Sequence, residues 1–454
     1  MKKTLVASIS IKKNYKQALN KTIDTFPEVK KKLKESKNIY IKIGIDHLYN
    51  FQHTNLELLQ LILEYIRQTN SSSKIFIMEN NIYGNFTRLL ANVSGAVAIT
   101  KSYKAKFIYL DEKKASPITI GSPEDRYKIL FPEILIDQLI AEQQKCFYLN
   151  LSFLKTHYQA KIAGGLFNQV GLINQQSFRY IHSSYLHHTI VDLLRYIKPD
   201  FTIVDANVIL AHGSMPAECL IKKYAILLDR LIAGVDAVAV DRVAFELTGY
   251  SQTQIEHLKL AIEQGLGEGN LDNIEIKGDL LSRSYKIPYS FEVSQLPQRM
   301  DIVFGEKKVD VENCLGLTLQ FAQILFKDFL GNRGFSLVVG RDFNEQQLQR
   351  LREPVIVLGK ETCDEVAPYI TSHYERSYYI GRCDNIRQIF AVLIKVMGCS
   401  KYHLIGVNPL TVWKYLVIGK LNGLKYKLPS IDKNTKRWKI QKKSGDKKAG
   451  KENN

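Results

Sequence analysis

Apolar residues along this chain alternate between short β-type blocks and longer stretches with helical spacing. Thr4–Ser10, Asn38–Asp46, Lys74–Glu79, Lys106–Leu110, Tyr127–Leu130 and Cys146–Leu151 read as strands. Tyr15–Glu35 and Leu56–Gln68 read as helices between them, and Leu56, Leu59, Ile62 and Ile66 recur near one helix face. A second block adds helix Leu186–Tyr196, strand Phe201–Ile209, a run Leu231–Ala233 ending in Gly234, helices Val238–Leu247 and Gln254–Gln264, and strand Ile274–Lys277. A third block holds strand-like runs at Phe335–Val339, Pro354–Leu358 and Ser377–Ile380. Its helices are read at Cys314–Phe329, Asn344–Arg352 and Asn385–Met397. Strands alternating with helices predict an α/β fold with a mostly parallel sheet.

With 454 residues the chain is long enough for more than one domain. The pattern predicts an α/β domain over 1–293, a linker near Ser294–Arg299 and a smaller Rossmann-like domain over 300–430. A basic segment over 433–454 follows, expected to be disordered. Apolar residues make up 45% and charged residues 24%, which excludes a mainly disordered or collagen-like chain. No apolar run approaches the ~18 residues of a spanning helix. Thr4–Ile11 is too short for an export signal and runs into Lys12-Lys13. The six cysteines are scattered without zinc-finger spacing, so a reduced, cytoplasmic protein is expected.

The net charge of +18 is unevenly placed. From Lys433 onward nine Lys or Arg face two acids, Asp446 and Glu452. That segment reads first as a solvating tail and second as an arm for nucleic acid or an anionic surface.

The sequence lacks a phosphate-loop GxxxxGK[ST], HExxH, GxSxG and a dinucleotide GxGxxG. Its strongest constellation is Phe153-Leu154-Lys155-Thr156-His157, followed by Ala163-Gly164-Gly165-Leu166-Phe167-Asn168-Gln169-Val170-Gly171. The strand would deliver Lys155 and His157 to its carboxyl end, where open α/β sheets bind ligands. The glycines would let the backbone approach something closely. Lys155 could hold an anion, and His157 could move a proton or bind a metal. Gly164, Gly165 and Asn168 would line the ligand, although a capped helix start is the bland reading.

His187, a candidate ligand-binding residue, lies near the start of the helix before strand Phe201–Ile209, and that strand carries Asp205, a candidate base or orienter for His157. The spacings of His182, His187 and His188 do not suit a shared helix face. Asp236 falls at a helix start, where capping is its simplest role; it and Asp241, five residues on, are also candidates to bind the ligand in the crevice. In the third block Cys314 opens a helix, and Cys363 and Cys383 each follow a strand and a glycine. Three such thiols could bind an iron–sulfur cluster or another transition metal, although cysteines are also common small core residues. Cys146, Cys219 and Cys399 are read as structural.

Phe153–Gly171, Leu186–Leu193, Phe201–Asp205, Ile232–Gly249 and Asn273–Gly278 together resemble the microbial family called domain of unknown function 362. The resemblance covers roughly residues 38–280. It implies an α/β domain and, in many relatives, iron–sulfur or redox association, but no particular reaction. Relatives often carry a ferredoxin-like insert, which this sequence lacks. They usually show "KPN" after the second strand, where this chain has Lys42-Ile43-Gly44, and Lys-Asn in the glycine loop, where it has Phe167-Asn168. A histidine ten residues before a lysine at that point is similar to the loop of the nickel-pincer lactate racemases. With Phe167 in the lysine's place, a tethered pincer cofactor is not expected.

The resulting expectation is a metal- or iron–sulfur-dependent enzyme acting on a small anionic metabolite in an interdomain crevice. It would be an oxidoreductase or a metal-dependent isomerase or lyase. Lys155, His157 and Asp205 would act there, facing Cys314, Cys363 and Cys383. The alternative is a non-catalytic protein that binds a small anion and docks through its basic tail.

Overall fold

The structure, a computed structural model, describes residues 3–12, 14–81, 85–123, 125–278, 283–290, 292–307, 312–382, 386–399, 407–426, 431 and 433–436. Its strands are β1 (Thr4–Ser10), β2 (Asn38–Lys42), β3 (Lys74–Glu79), β4 (Lys106–Tyr109), β5 (Ala115–Gly121), β6 (Arg126–Pro132), β7 (Cys146–Phe153), β8 (Lys155–His157), β9 (Lys161–Ala163), β10 (Phe201–Leu210), β11 (Ala225–Gly234), β12 (Ile274–Gly278), β13 (Met300–Phe304), β14 (Phe335–Val339), β15 (Val355–Leu358) and β16 (Ser377–Ile380).

The main sheet runs β12-β1-β11-β10-β7-β2-β3-β4. Every neighbouring pair is parallel except those of β11, which runs antiparallel to both β1 and β10. The expected α/β class with a mostly parallel sheet is therefore observed. Both faces of the sheet are covered, as parallel sheets require. Ile39 and Ile41 of β2 point to one face, with helices Tyr15–Asp24, Pro27–Glu35 and Leu56–Thr69. Tyr40 between them points to the other, with helices Leu186–Tyr196, Ala237–Glu246 and Glu256–Glu263. The alternation is the period-2 signature of a strand buried on both sides.

A second sheet, β13-β14-β15-β16, is parallel throughout. Leu337 and Val339 of β14 join the same apolar cluster as the second face of the main sheet, through helix Glu312–Lys327. Val338 points the other way, into a separate cluster with Val355, Val357, Cys363 and Val366. The apolar core is thus continuous from one sheet to the other.

Several elements differ from the sequence reading. The helix expected over Tyr15–Glu35 is two helices, because Pro27 starts the second and cannot continue the first. Phe26 at the break is fully buried, edge-on to Phe201 at 5.1 Å. The strand expected over Asn38–Asp46 stops at Lys42 and gives way to a loop. β13 lies where a linker was expected to end; it is a half-buried edge strand, and Phe304 is exposed. Helices Lys360–His373 and Pro409–Leu421 were not anticipated, the first because Pro368 sits inside it, the second because it is apolar all round. Among the described residues no helix is long and apolar enough to cross a membrane. The basic tail beyond residue 436 lies outside the described residues.

Leu59 is fully buried between helix Leu56–Thr69 and the main sheet. Leu59→Ala is expected to cost about 2–5 kcal/mol through lost burial and the cavity left behind. Urea unfolding should show a lower midpoint with an unchanged slope.

Candidate functional site

Two charged residues end the central parallel strands. Lys42 closes β2 and Glu79 closes β3, and the register Lys42↔Met78 sets them side by side at the carboxyl edge. Lys42 Nζ donates to Glu79 Oε2 at 2.5 Å and to the Ile43 carbonyl at 2.5 Å, and lies 3.4 Å from Asn168 Oδ1. Both side chains are almost wholly buried. Burial pushes the Glu79 carboxyl up to about 7, Lys42 pulls against that, and Asp46 adds to it. Burial also draws the Lys42 ammonium down, against the pull of Glu79. A buried pair is stable only while its charges balance each other.

A second pair adjoins the first. Lys155 on β8 donates to Asp46 Oδ2 at 2.5 Å, with side-chain exposures of 11% and 8%. Lys155 also lies 5.1 Å from the ring of Phe153 and 5.4 Å from that of Phe167. Asp46 sits on the loop after β2, which is held from several sides. Thr54 Oγ1 accepts from the Gly44 amide, the Gln52 carbonyl accepts from the amides of Asp46 and His47, and Asn81 Nδ2 donates to the carbonyls of Ile45 and Asp46. Asp46 and Lys155 both act electrostatically on Lys42. The four charges form one network at the carboxyl edge.

The glycine loop follows β9. The short helix Gly165–Asn168 opens on Asp241, whose carboxylate accepts from the Gly165 amide at 2.6 Å and the Leu166 amide at 2.9 Å. A Cβ on Gly164 would lie 2.5 Å from Asp241 Oδ1, and one on Gly165 2.5 Å from Thr202 Cγ2. One on Gly171 would lie 2.7 Å from Lys42 Nζ. What approaches the loop closely is therefore the protein's own interior. The space beside Gly164 and Gly165, expected to line a ligand, is taken by Asp241 and Thr202. Asp241 faces this helix start instead of a crevice. Burial pushes its carboxyl up to about 7 against the lowering effect of the two amides. Asn168 does reach the charge network: it donates to Asn150 Oδ1 at 2.8 Å and turns its Oδ1 toward Lys42.

His157 shares β8 with Lys155. Its Nδ1 accepts from the amides of Gln159 and Ala160 at 3.2 and 3.1 Å, which puts the proton of the neutral ring on Nε2. Its ring packs against Tyr158 and Phe167 at 4.6 and 4.8 Å. Phe167 thus touches His157 and approaches Lys155, filling the position where a lysine was looked for. Asp205 does not orient His157. Its carboxylate accepts from the Tyr15 hydroxyl at 3.2 and 3.1 Å and from the Asn207 amide, and burial pushes it up to about 6.

His187 stacks on His257 of helix Glu256–Glu263 at 5.8 Å. Burial holds both rings down, so both are neutral near pH 7. Asp236 caps helix Ala237–Glu246, accepting from the amides of Val238, Ala239 and Glu268. That carboxylate is spent on backbone, so the ligand-binding role expected for Asp236 gives way to its simplest one.

The thiols do not support the cluster read from sequence. Cys363 is fully buried in an apolar cluster, its Sγ lies 3.6 Å from the Val357 carbonyl, and burial pushes the thiol up. Such a thiol resists the deprotonation a metal ligand needs. Cys314 lies in helix Glu312–Lys327, and Cys383 lies outside the described residues. Among the described residues no three His, Cys, Asp or Glu are grouped to hold a metal. Cys146 is buried, whereas Cys219, read as structural, is exposed.

Lys42, Asp46 and Glu79 were missed by the sequence reading. The signal was available: each of β2 and β3 is an apolar run ending in one charged residue, the same feature that drew attention to Lys155. Helix Glu312–Lys327 approaches this edge, since a Cβ on Gly316 would lie 2.7 Å from the Tyr158 ring and Gln320 Nε2 donates to the Met215 carbonyl at 3.0 Å.

A family model described as domain of unknown function (DUF362) matches residues 39–246. That span contains Lys42, Asp46, Glu79, Lys155, the glycine loop and Asp241. No curated protein matches the chain. Among solved structures, the lactate racemase apoprotein from Thermoanaerobacterium thermosaccharolyticum is similar at a TM-score of 0.35 and 11% identity, over 87% of this chain and 91% of that one. A likeness of that degree carries nothing about activity.

Asp241 makes stability depend on pH in a defined direction. Its carboxyl binds a proton more tightly folded, at about 7, than at its ordinary 3.8. Its contribution is complete below the ordinary value and is lost as pH rises through about 7. Urea midpoints of the Asp241→Asn variant are expected to fall less steeply over this window than those of the parent. An unchanged pH slope would contradict the assignment.

Proposed function

We propose that this protein binds a small anionic metabolite at the carboxyl edge of β2, β3 and β7 and moves a proton on it, as an isomerase or lyase does. The observation that carries this reading is the coupled network Lys42–Glu79 and Lys155–Asp46. Lys155, at the more exposed end of the network, would hold the anion in place of Asp46. Glu79, whose carboxyl titrates near neutrality, would accept or return the proton. Lys42 would compensate the charge change at Glu79, and Asn168 would orient Lys42. His157, through its Nε2–H, would donate to the bound anion. Phe153 and Phe167 would wall the site and keep its dielectric low. The mouth would lie under helix Glu312–Lys327.

A second reading is favoured by one feature: Asp46 already sits on Lys155 as an anionic ligand would. In that reading the protein holds an anion by displacing Asp46 and performs no chemistry.

The test begins with thermal shifts in a panel of small mono- and dicarboxylates and inorganic phosphate. At least one is expected to stabilise the protein, and Lys155→Met should weaken its binding by about tenfold or more. The stabilising acid is then incubated in D2O and followed by NMR. Exchange of a carbon-bound proton is expected, rising with pH through about 7 because Glu79 must be ionised to act as base. Glu79→Gln should lower that rate by about 100-fold or more and remove the pH inflection. Binding without exchange would leave the second reading, and no binding by any member of the panel would overturn both.

A further inference from the structure

Helix Pro409–Leu421 is docked by one face only. Val412 and Leu416 are buried against Phe86, Leu89 and Leu424 in a small apolar cluster. On the opposite side Leu410, Trp413, Val417 and Leu421 are exposed at 78%, 66%, 46% and 83%. Their spacing of three, four and four residues places them on one helix face, within an arc of about 80° at 3.6 residues per turn. Lys414 and Lys420, both exposed, fall on either side of that arc. An apolar stripe of this length, with a tryptophan in it, is more than the scattered exposed apolar residues of an ordinary surface.

The charge around it is one-sided. Residues 409–454 contain thirteen Lys or Arg and three Asp or Glu. The stripe and much of the chain's positive charge therefore belong to the same carboxyl-terminal stretch. The residues after Arg437 hold too few apolar side chains to cover the stripe, chiefly Trp438 and Ile440. Pairing of two stripes in a second copy would bring two strongly positive segments together. A polyanion such as RNA would satisfy the lysines and leave Leu410, Val417 and Leu421 in water.

We propose that helix Pro409–Leu421 is a peripheral docking face for an anionic lipid surface. The apolar stripe enters the boundary between headgroups and acyl chains, Trp413 lies at headgroup level, and the flanking and following lysines meet the anionic headgroups. Apolar insertion combined with a polybasic segment is the two-part signal that reversible membrane attachment needs. The helix lies on the surface and does not cross it.

The full chain is mixed with vesicles of phosphatidylcholine alone and of phosphatidylcholine with phosphatidylglycerol, and bound protein is measured by flotation. Binding is expected only with phosphatidylglycerol. In a Trp438→Phe background, Trp413 emission should shift to the blue on binding. A Leu410→Ser/Val417→Ser/Leu421→Ser variant should lose vesicle affinity about tenfold or more while its thermal midpoint stays unchanged, because these side chains are exposed. Absence of vesicle binding would overturn the proposal. So would binding that the triple variant retains, which would assign attachment to the basic segment alone. A dimer that the triple variant dissolves, without vesicle binding, would assign the stripe to a second copy of the chain.

Discussion

The carboxyl edge of the main sheet is organised by the cost of keeping charge out of water. Lys42, Glu79, Asp46 and Lys155 lie where parallel strands end, with little solvent to screen them. Removing one member would leave a bare charge inside, which typically costs ~3–5 kcal/mol. The surroundings follow from that constraint. The loop after β2 is tied down by Thr54, Gln52 and Asn81 so that Asp46 meets Lys155. Asn168 is turned toward Lys42 by its own bond to Asn150. Gly171 has no side chain because Lys42 passes where one would be.

A second buried anion sets the glycine loop. Asp241 provides what a phosphate provides at other helix starts, a negative group on two amides. Gly164 and Gly165 are required by this internal contact. The loop's resemblance to a ligand cradle is thus a resemblance of geometry, with the occupant supplied by the chain itself.

The fold class was legible because the strands are long apolar blocks with clear boundaries; β1, β3, β14 and β16 lie where the pattern placed them. Three of the elements that escaped broke a local rule. Pro27 split an apparent helix, Pro368 hid one, and helix Pro409–Leu421 has no polar face to betray it. At the candidate site Lys155 and His157 were legible, since both follow directly on the buried strand β7. The pairing of Lys42 with Glu79 and of Asp46 with Lys155 was not, because the partners are 37 and 109 residues apart and only the folded sheet and its loops bring them together. The roles proposed for Asp205, Asp236 and Cys363 failed for one reason. A sequence does not show which backbone amide, hydroxyl or apolar neighbour has already claimed a polar atom.

The close approach of Asp241 to Gly164 also limits how this site could diversify. A side chain at Gly164, Gly165 or Gly171 would collide with Asp241, Thr202 or Lys42. At these three positions the glycine loop is therefore closed to substitution one residue at a time, whereas Phe167 between them stands where relatives carry another residue. Variation in what such a site recognises then falls to residues such as Phe167 and to the bordering helix Glu312–Lys327, whose side chains are not locked against the glycine backbone.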